Sequence, residues 1–408
     1  MTSQTKDKPQ SNNYWKRNLK VLWFSTFMTG IGFSMITPFM PLYINQLGNL
    51  TKSQLVIWNG MAFSATFLVM AIASPIWGKI ADRKGRKLML IRAALGMSIV
   101  IFLQAFVTAP WQLVALRLLQ GVFSGFVSNA STLIASTAPR SESGKALGTL
   151  NTGVISGTLL GPLAGGVIAQ YLGFRIPFMV TGSLLFTAFI LVVIFIKEDF
   201  KPVTKDEEAS TSEIFHKSKN PNLILAMFVT TMIIQMSNNS INPIISLYVK
   251  QLMHGSDKVT LIAGVIAAMP GIANVIAAPR FGALGDKIGT EKILIGGLLF
   301  AVIVYIPQAF VTNVWQLGML RFLVGVSDAC LFPQVQTILA KNSDTKYTGR
   351  IFGYNASFQA AGNVCGPLIG SYISSILSYS AVFISTSILA LINFSWVFSH
   401  MKSKKTKK

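Results

Sequence analysis

Gly78-Lys79-Ile80-Ala81-Asp82-Arg83-Lys84-Gly85-Arg86-Lys87 sets six charges between two long apolar segments. Nearly the same chemistry returns 204 positions later as Gly282-Ala283-Leu284-Gly285-Asp286-Lys287-Ile288-Gly289, where Gly282, Asp286 and Gly289 answer Gly78, Asp82 and Gly85. Glycine and aspartate let a chain reverse sharply. The basic residues pin such a turn on one side of a membrane. A charged hairpin repeated at half the chain length predicts two copies of one membrane-embedded unit.

Composition points the same way. The 408 residues are 51% hydrophobic and only 12% charged, which excludes an ordinary soluble domain. Lys and Arg number 35 against 14 Asp and Glu, a net charge of +21. Lys52, Arg175, Lys250 and Lys258 fall on one side of the expected membrane, and Arg117 and Arg321 lie within spans. The other basic residues gather in the termini and alternate loops, so the excess reads as a topology signal with affinity for anionic lipid heads, not as a nucleic-acid surface. Val21 to about Leu47 is too long for a signal-peptide core and lacks a small-residue cleavage site, so it reads as a retained first span. Both termini are then expected in the cytoplasm, the protein lying in the cell membrane as a multi-pass monomer.

About 20 apolar residues cross a bilayer. That measure predicts an all-α fold of about twelve transmembrane helices, near 20–46, 55–78, 88–108, 111–136, 145–170, 175–196, 222–249, 259–281, 292–311, 315–340, 348–375 and 379–400. The polar stretch Lys197 to Asn220 reads as a cytoplasmic linker, giving an N-terminal half 1–200, a linker 201–220 and a C-terminal half 221–408. The repeat supports this division. Pro38 and Leu42-Tyr43 return as Pro243 and Leu247-Tyr248, and Gly161-Pro162 as Gly366-Pro367, at an offset of 205. Pro75, Trp111-Gln112-Leu113, Arg117 and Gly121 return as Pro279, Trp315-Gln316-Leu317, Arg321 and Gly325 at 204. Six spans present twice in parallel orientation is how paired transporter halves are built.

Three motifs then carry a resemblance. Gly78-x-x-Ala81-Asp82-Arg83-x-Gly85-Arg86-Lys87 resembles the loop 2–3 signature of the major facilitator superfamily, and Leu116-Arg117-Leu118-Leu119-Gln120-Gly121 its fourth-span motif. Gly153-x3-Gly157-x3-Gly161-Pro162-x2-Gly165-Gly166 is similar to the fifth-span motif of its drug:proton antiporters, with a look closest to Gram-positive multidrug pumps of the quinolone-efflux kind. The resemblance implies two pseudo-symmetric six-helix halves, export rather than uptake, and an Asp82 that meets the N-terminal end of span 11 to hold the inside gate shut. Gly78, Arg83, Gly85 and Arg86 belong to that gate. Asp286 survives in the second copy, but Thr290 and Glu291 replace the Arg86-Lys87 pair. The glycines at 153, 157, 161 and 165, with Pro162, make a smooth flank on which two halves are expected to rock; Gly362, Gly366, Pro367 and Gly370 repeat it on span 11.

Charges inside spans are the sharper signal, since each costs about 2.5–3.5 kcal/mol at a helix centre. Arg117, Gln120, Ser124, Ser128 and Ser131 share one face of span 4, and Arg321, Gly325, Asp328 and Phe332 one face of span 10. Asp328 is the carboxylate placed deep in a span. Hydrocarbon penalises its ionised form, so it reads as a proton-coupling site, with Arg117 and Arg321 as counter-charges. The alternative is a fixed Asp328–Arg321 pair, although seven residues of helix put their Cα atoms about 10.5 Å apart. Span 7 carries Gln235, Asn238, Asn239 and Asn242 on one strip, and span 11 carries Asn355, Gln359 and Asn363. These amides, with Gln120 and Ser124, either line a drug cavity or join helices. The 28 Phe and 16 Met suit an adaptable greasy cavity.

Other classes fare poorly. His216, His254 and His400 lack metal-ligand spacing, the glycine-rich stretches lack a P-loop lysine, and neither half supplies a ring of charge for a channel. Cys330 and Cys365 read as small core residues. The expectation is therefore a non-enzymatic, cofactor-free exporter of small amphipathic drugs, driven by protons through alternating access. The rival is a proton-coupled single-substrate transporter, a sugar or metabolite exporter or importer on the same fold.

Overall fold

The structure is a computed structural model that describes residues 14–139, 142–200, 220–254, 256–343 and 348–405; the side chains of residues 82, 286, 348, 349 and 402–405 lie outside that description. The linker expected at 201–220 falls outside it except for Asn220. Everything regular among the described residues is helical.

Span 1 is Tyr14–Ile36, continued past a 3-10 turn at Thr37–Phe39 by Met40–Asn45. Spans 2 and 3 are Lys52–Lys84 and Arg86–Gln104; span 4 is Pro110–Phe123 followed by Phe126–Thr137; spans 5 and 6 are Ser143–Leu172 and Ile176–Phe195. Span 7 is Pro221–Ser240 continued by Ile245–Leu252, and spans 8 to 12 are Val259–Ile288, Thr290–Gln308, Val314–Asn342, Thr348–Ile376 and Tyr379–Lys405. Among the described residues eleven of these are long and apolar enough to cross a membrane. The remaining one, span 11, has 29 residues, ample length, but its amides dilute its apolarity.

Sequence position explains where the helices start and stop. Thr51 begins span 2 with a capping box, its Oγ1 accepting from the Gln54 N–H at 3.3 Å while the Gln54 side chain accepts from the Thr51 N–H at 3.0 Å. Gly85 (φ 93°) and Gly289 (φ 108°) adopt the positive φ that lets span 2 turn into span 3 and span 8 into span 9. The repeated Pro38 and Pro243 fall where spans 1 and 7 interrupt their regular helices, since proline cannot donate to the helical ladder.

The pairing of helices repeats as the sequence does. Span 1 packs on spans 5 and 6, span 3 on span 6 and span 2 on span 4; spans 7, 9 and 8 pack on 11 and 12, 12 and 10 in the same way. Individual contacts recur too. The Tyr43 hydroxyl donates to the Gln104 carbonyl at 2.8 Å, and that of Tyr248 to the Gln308 carbonyl at 3.1 Å. Tyr43 tilts on Phe178 with ring centres 4.9 Å apart, and Tyr248 on Phe383 at 5.3 Å. The two halves then meet along two seams, span 2 on span 11 and span 5 on span 8.

The glycine flank corrects one expectation. It does not form the seam between halves. A Cβ at Gly153 would sit 2.6 Å from the Trp23 carbonyl, and one at Gly157 would collide with the Phe27 carbonyl, both on span 1 of the same half. Gly161 and Gly165 press on Ile31, Ser34 and Met35. Gly362, Gly366 and Gly370 likewise close on Met232, Met236 and Ser240 of span 7. The physical reason is that lipid gives helices no hydrophobic drive to associate, so backbone-to-backbone approach holds each half together. From the two flanks, Pro162 and Gly166 also meet Gly264 of span 8, and Pro367 meets Gly60 of span 2.

Gly157→Ala is therefore expected to cost about 1–3 kcal/mol by overpacking. Gly148→Ala, where a Cβ meets nothing within 4 Å, is expected to leave stability unchanged or slightly raised. Thermal unfolding of the purified variants compares the two.

Candidate functional site

Call the end of the bundle that carries residues 78–87 the hairpin end. Glu198, just past span 6, organises it. Its carboxylate accepts from the backbone N–H groups of Arg86 at 2.8 Å and Lys87 at 2.7 Å, filling the unsatisfied first turn of span 3. Asn18 at the start of span 1 bonds reciprocally to the backbone of Lys197, at 2.6 and 3.2 Å. Arg83 is exposed, Gly78 has open space beside it, and the Asp82 and Asp286 side chains lie outside the described residues. The gate role given to those two aspartates therefore stays an expectation.

Among the described residues, the contacts that close the seams lie away from the hairpin end. On one, the Ser64 hydroxyl donates to the Val364 carbonyl at 2.6 Å, a Cβ on Gly60 would lie 2.5 Å from the Ser371 Oγ, and the Lys52 ammonium sits 4.6 Å from the Tyr379 ring centre. On the other, the Gln170 amide donates to the Asp257 carbonyl at 2.6 Å, and Gly264 abuts the Pro162 carbonyl. Towards the hairpin end, Gly148, Gly282 and Gly353 have nothing within 4 Å of a Cβ position. Residues 71, 72 and 74–76 of span 2 are all exposed, more of the helix circumference than a lipid face alone would uncover. Among the described residues the halves are parted at the hairpin end and shut at the other.

Span 4 carries the first surprise. Its polar face was read on a continuous helix, but the helix stops at Phe123 and restarts at Phe126 through Gly125 at φ 103°. The break leaves carbonyls without helical donors, which hydrocarbon does not tolerate. Arg92 of span 3 supplies them: its guanidinium donates to the Val122 carbonyl at 2.7 Å and the Ser124 carbonyl at 3.1 Å, stacked 3.9 Å over Trp77. The Trp77 indole adds a 2.8 Å bond to the Val122 carbonyl. Ser128 beyond the break is exposed, while Asn129 is buried in its place. The sequence reading counted Arg92 with the loop charges; a cation five residues into an apolar run was the missed signal.

Arg117 is buried and held structurally. Its Nε donates to the Ala62 carbonyl at 3.1 Å and its Nη1 approaches the Gln120 Oε1 at 3.5 Å. Gln120 also accepts from Gln104 at 3.0 Å, and the Ser124 hydroxyl is turned back to the Gly121 carbonyl. Gln104 and Gln308 recur at an offset of 204 and were legible as a pair.

Asp328 lies among spans 7, 9, 10 and 12, all of one half, and is partly buried. Its Oδ1 accepts from the Asn238 amide at 2.9 Å, and the Asn238 Oδ1 accepts from the Tyr305 hydroxyl at 2.7 Å. Among the described residues no ion pair within 4.0 Å joins it to Arg321, whose Nε and Nη1 are buried without a hydrogen-bond partner. The fixed-pair alternative is thereby set aside. Tyr305 was missed, because a lone tyrosine in an apolar span carries no periodic signal.

Of the remaining amides, those around Asn239 join helices. Asn239 donates to Asn363 at 2.9 Å and to the Gln235 side chain at 3.3 Å, while Asn242 donates to Asn239 at 2.8 Å, tying span 7 to span 11. Asn355 is buried with its Oδ1 unpartnered, and Gln359 is partly buried. Cys330 is buried as expected, but Cys365 is exposed.

Comparison with known proteins agrees with this architecture. The Major Facilitator Superfamily family model matches residues 22–261 and again 227–408. The chain is 51% identical over 384 residues to the multidrug resistance protein MdtG of Escherichia fergusonii, covering 94% of each chain. It is equally similar to MdtG of Salmonella arizonae, covering 94% of this chain and 95% of that one. Among solved structures, a bacterial homologue of the human lysosomal transporter Spinster, inward-facing and occupied, superposes with a TM-score of 0.78 at 14% identity over 95% of this chain and 97% of that one. The nucleoside transporter NupG gives 0.77 at 10% identity, covering 95% and 99%. The duplicated twelve-span architecture, the loop 2–3 signature and relatives sharing half the sequence lead to one conclusion: this chain belongs to the Major Facilitator Superfamily.

Proposed function

We infer that this protein exports small amphipathic drugs across the cell membrane in exchange for protons, as a monomer, by rocking its two halves about a central cavity. The 51% identity to multidrug resistance proteins over nearly the whole chain supports the drug class. The basic residues at the hairpin end support a cytoplasmic position for that end and for both termini. The open side then faces the cytoplasm, where drug binds, and the shut seams face outside.

Asp328 is the observation that carries proton coupling. A mid-span carboxylate with one oxygen bonded by Asn238 and no ion pair to Arg321 can gain and lose a proton without first breaking a salt bridge. Its route to the seam is short. Asn238 and Asn239 are neighbours on span 7; Asn239 bonds Asn363 on span 11; and the next residue, Val364, accepts the Ser64 bond that closes the outer seam. Protonation that loosens Asn238 shifts the helix whose neighbour anchors that closure. A hydrogen bond is worth only about 1 kcal/mol net, so the closure is weak enough to be reversed in each cycle. No nucleotide or metal takes part in this scheme; the proton gradient supplies the energy.

In everted vesicles Asp328→Asn is expected to abolish drug-driven dissipation of the pH gradient while drug binding persists; an undiminished response removes the coupling role. Ser64→Ala is expected to shift the population towards the outward-open form about fivefold, the equivalent of about 1 kcal/mol. Spin labels placed across the span 2–span 11 seam read that shift as a longer distance.

A further inference from the structure

Beside Asp328 lies a cavity of about 20 Å³, lined by Ser237 and Asn238 of span 7, Tyr305 of span 9, Ser327 and Asp328 of span 10 and Asn393 of span 12. Such a volume holds one water-sized particle. Two of its lining groups stand out. The Asn393 Oδ1 and the Ser237 Oγ have no hydrogen-bond partner, although their residues are 1% and 5% exposed. Asp328 adds a carboxylate of which only Oδ1 accepts a bond among the described residues. The other polar groups are spent: Tyr305 bonds Asn238, and Ser327 bonds the Gly297 carbonyl at 3.0 Å.

We propose that this cavity is a binding site for one desolvated monovalent cation, sodium by size, held by the Asp328 carboxylate, the Asn393 Oδ1 and the Ser237 Oγ. The unfilled groups are an amide oxygen, a hydroxyl and a carboxylate, all hard oxygen donors of the kind that bind alkali and alkaline-earth ions. One carboxylate balances one positive charge, so a divalent ion would leave an excess. Arg321 in the same helix adds to that penalty. A neutral water would satisfy the amide and hydroxyl but would leave an ionised carboxylate uncompensated in hydrocarbon, which is costly. Potassium is about as large as a water molecule and would hold the three oxygens apart, whereas the smaller sodium lets the carboxylate and its neighbours close on the charge.

The charged and titratable groups facing Asp328 are Arg321 and Cys330 on its own helix and Tyr305 on span 9. None neutralises the carboxylate by direct pairing, so sodium and a proton compete for it. This site shares Asp328 with the coupling scheme but does not require transport. Loss of coupling in Asp328→Asn with no sodium effect in the unmodified protein defeats the site alone. Sodium binding in a protein that exports without protons defeats the coupling alone.

The test is the thermal unfolding of the purified full-length chain in sodium, potassium or choline chloride at one ionic strength, at pH 8 and pH 5.5. A saturable rise in Tm with sodium alone, weaker at pH 5.5, is expected. Ser237→Ala and Asn393→Ala are expected to raise the half-saturating sodium concentration at least tenfold, and Asp328→Asn to remove the response. Equal curves for the three salts mean an ordered water only and overturn the proposal; so does a full sodium response in Asp328→Asn. Should the alanine variants fail to fold, the salt selectivity of the unmodified protein still decides.

Discussion

Hydrocarbon offers no hydrogen bonds, and this fold is shaped by that lack. Every backbone polar group inside the bilayer must find its partner within the protein. The break in span 4 illustrates the constraint at its most demanding. Gly125 interrupts the helix in mid-span, and the freed carbonyls of Val122 and Ser124 are met by Arg92 and Trp77 from neighbouring helices. A cation that would be expensive alone becomes the partner that makes an irregular backbone tolerable. Arg92 and the break explain one another.

The same constraint shows where the two copies have diverged. Tyr43 on Gln104 and Tyr248 on Gln308 are matched supports, kept because both halves need spans 1 and 7 braced against spans 3 and 9. The matched positions Ser124 and Asp328 differ in chemistry. In the first half the position ends a half-helix and its carbonyl is capped by arginine. In the second the helix runs on unbroken, position 296 is a glycine in place of Arg92, and position 328 bears a carboxylate. Arg117 is bonded to Ala62 and Gln120, whereas Arg321 retains buried nitrogens without partners. The first half holds its buried arginine in a bonded polar network, although the Gln104 Oε1 and the Asn59 amide there are also unpartnered. The second keeps unsatisfied groups around an acid, the arrangement in which a small change of charge has somewhere to act.

Packing divides the labour further. Glycines of spans 5 and 11 bring whole backbones together inside each half, making rigid units. Between halves, among the described residues, the polar closure is a few bonds and one cation–ring contact away from the hairpin end, beside the packing of Gly60 on Ser371 and of Gly264 on the Pro162 carbonyl. Strong cohesion within units and weak closure between them is what a rocking motion requires. The four-amide chain across spans 7 and 11 links the two regimes, since it joins the helix that touches Asp328 to the helix that touches the first half.

The sequence alone determined the number of spans, the duplication, the loop 2–3 turn and the isolation of Asp328, because these are written in local hydropathy, in a fixed offset and in the rarity of charge. Partner choice was not legible there. Regular spacing placed the span 5 glycines on one flank but could not say which helix they meet, and they meet span 1. A polar stripe drawn at 100° per residue assumed an unbroken span 4, and one positive φ at Gly125 turned it aside. Arg92, Tyr305, Asn393 and Glu198 bond to neighbours 30 to 163 positions away. Only the tertiary structure brings such partners within bonding distance, and hydrogen bonds are decided by distance and angle, not by order along the chain.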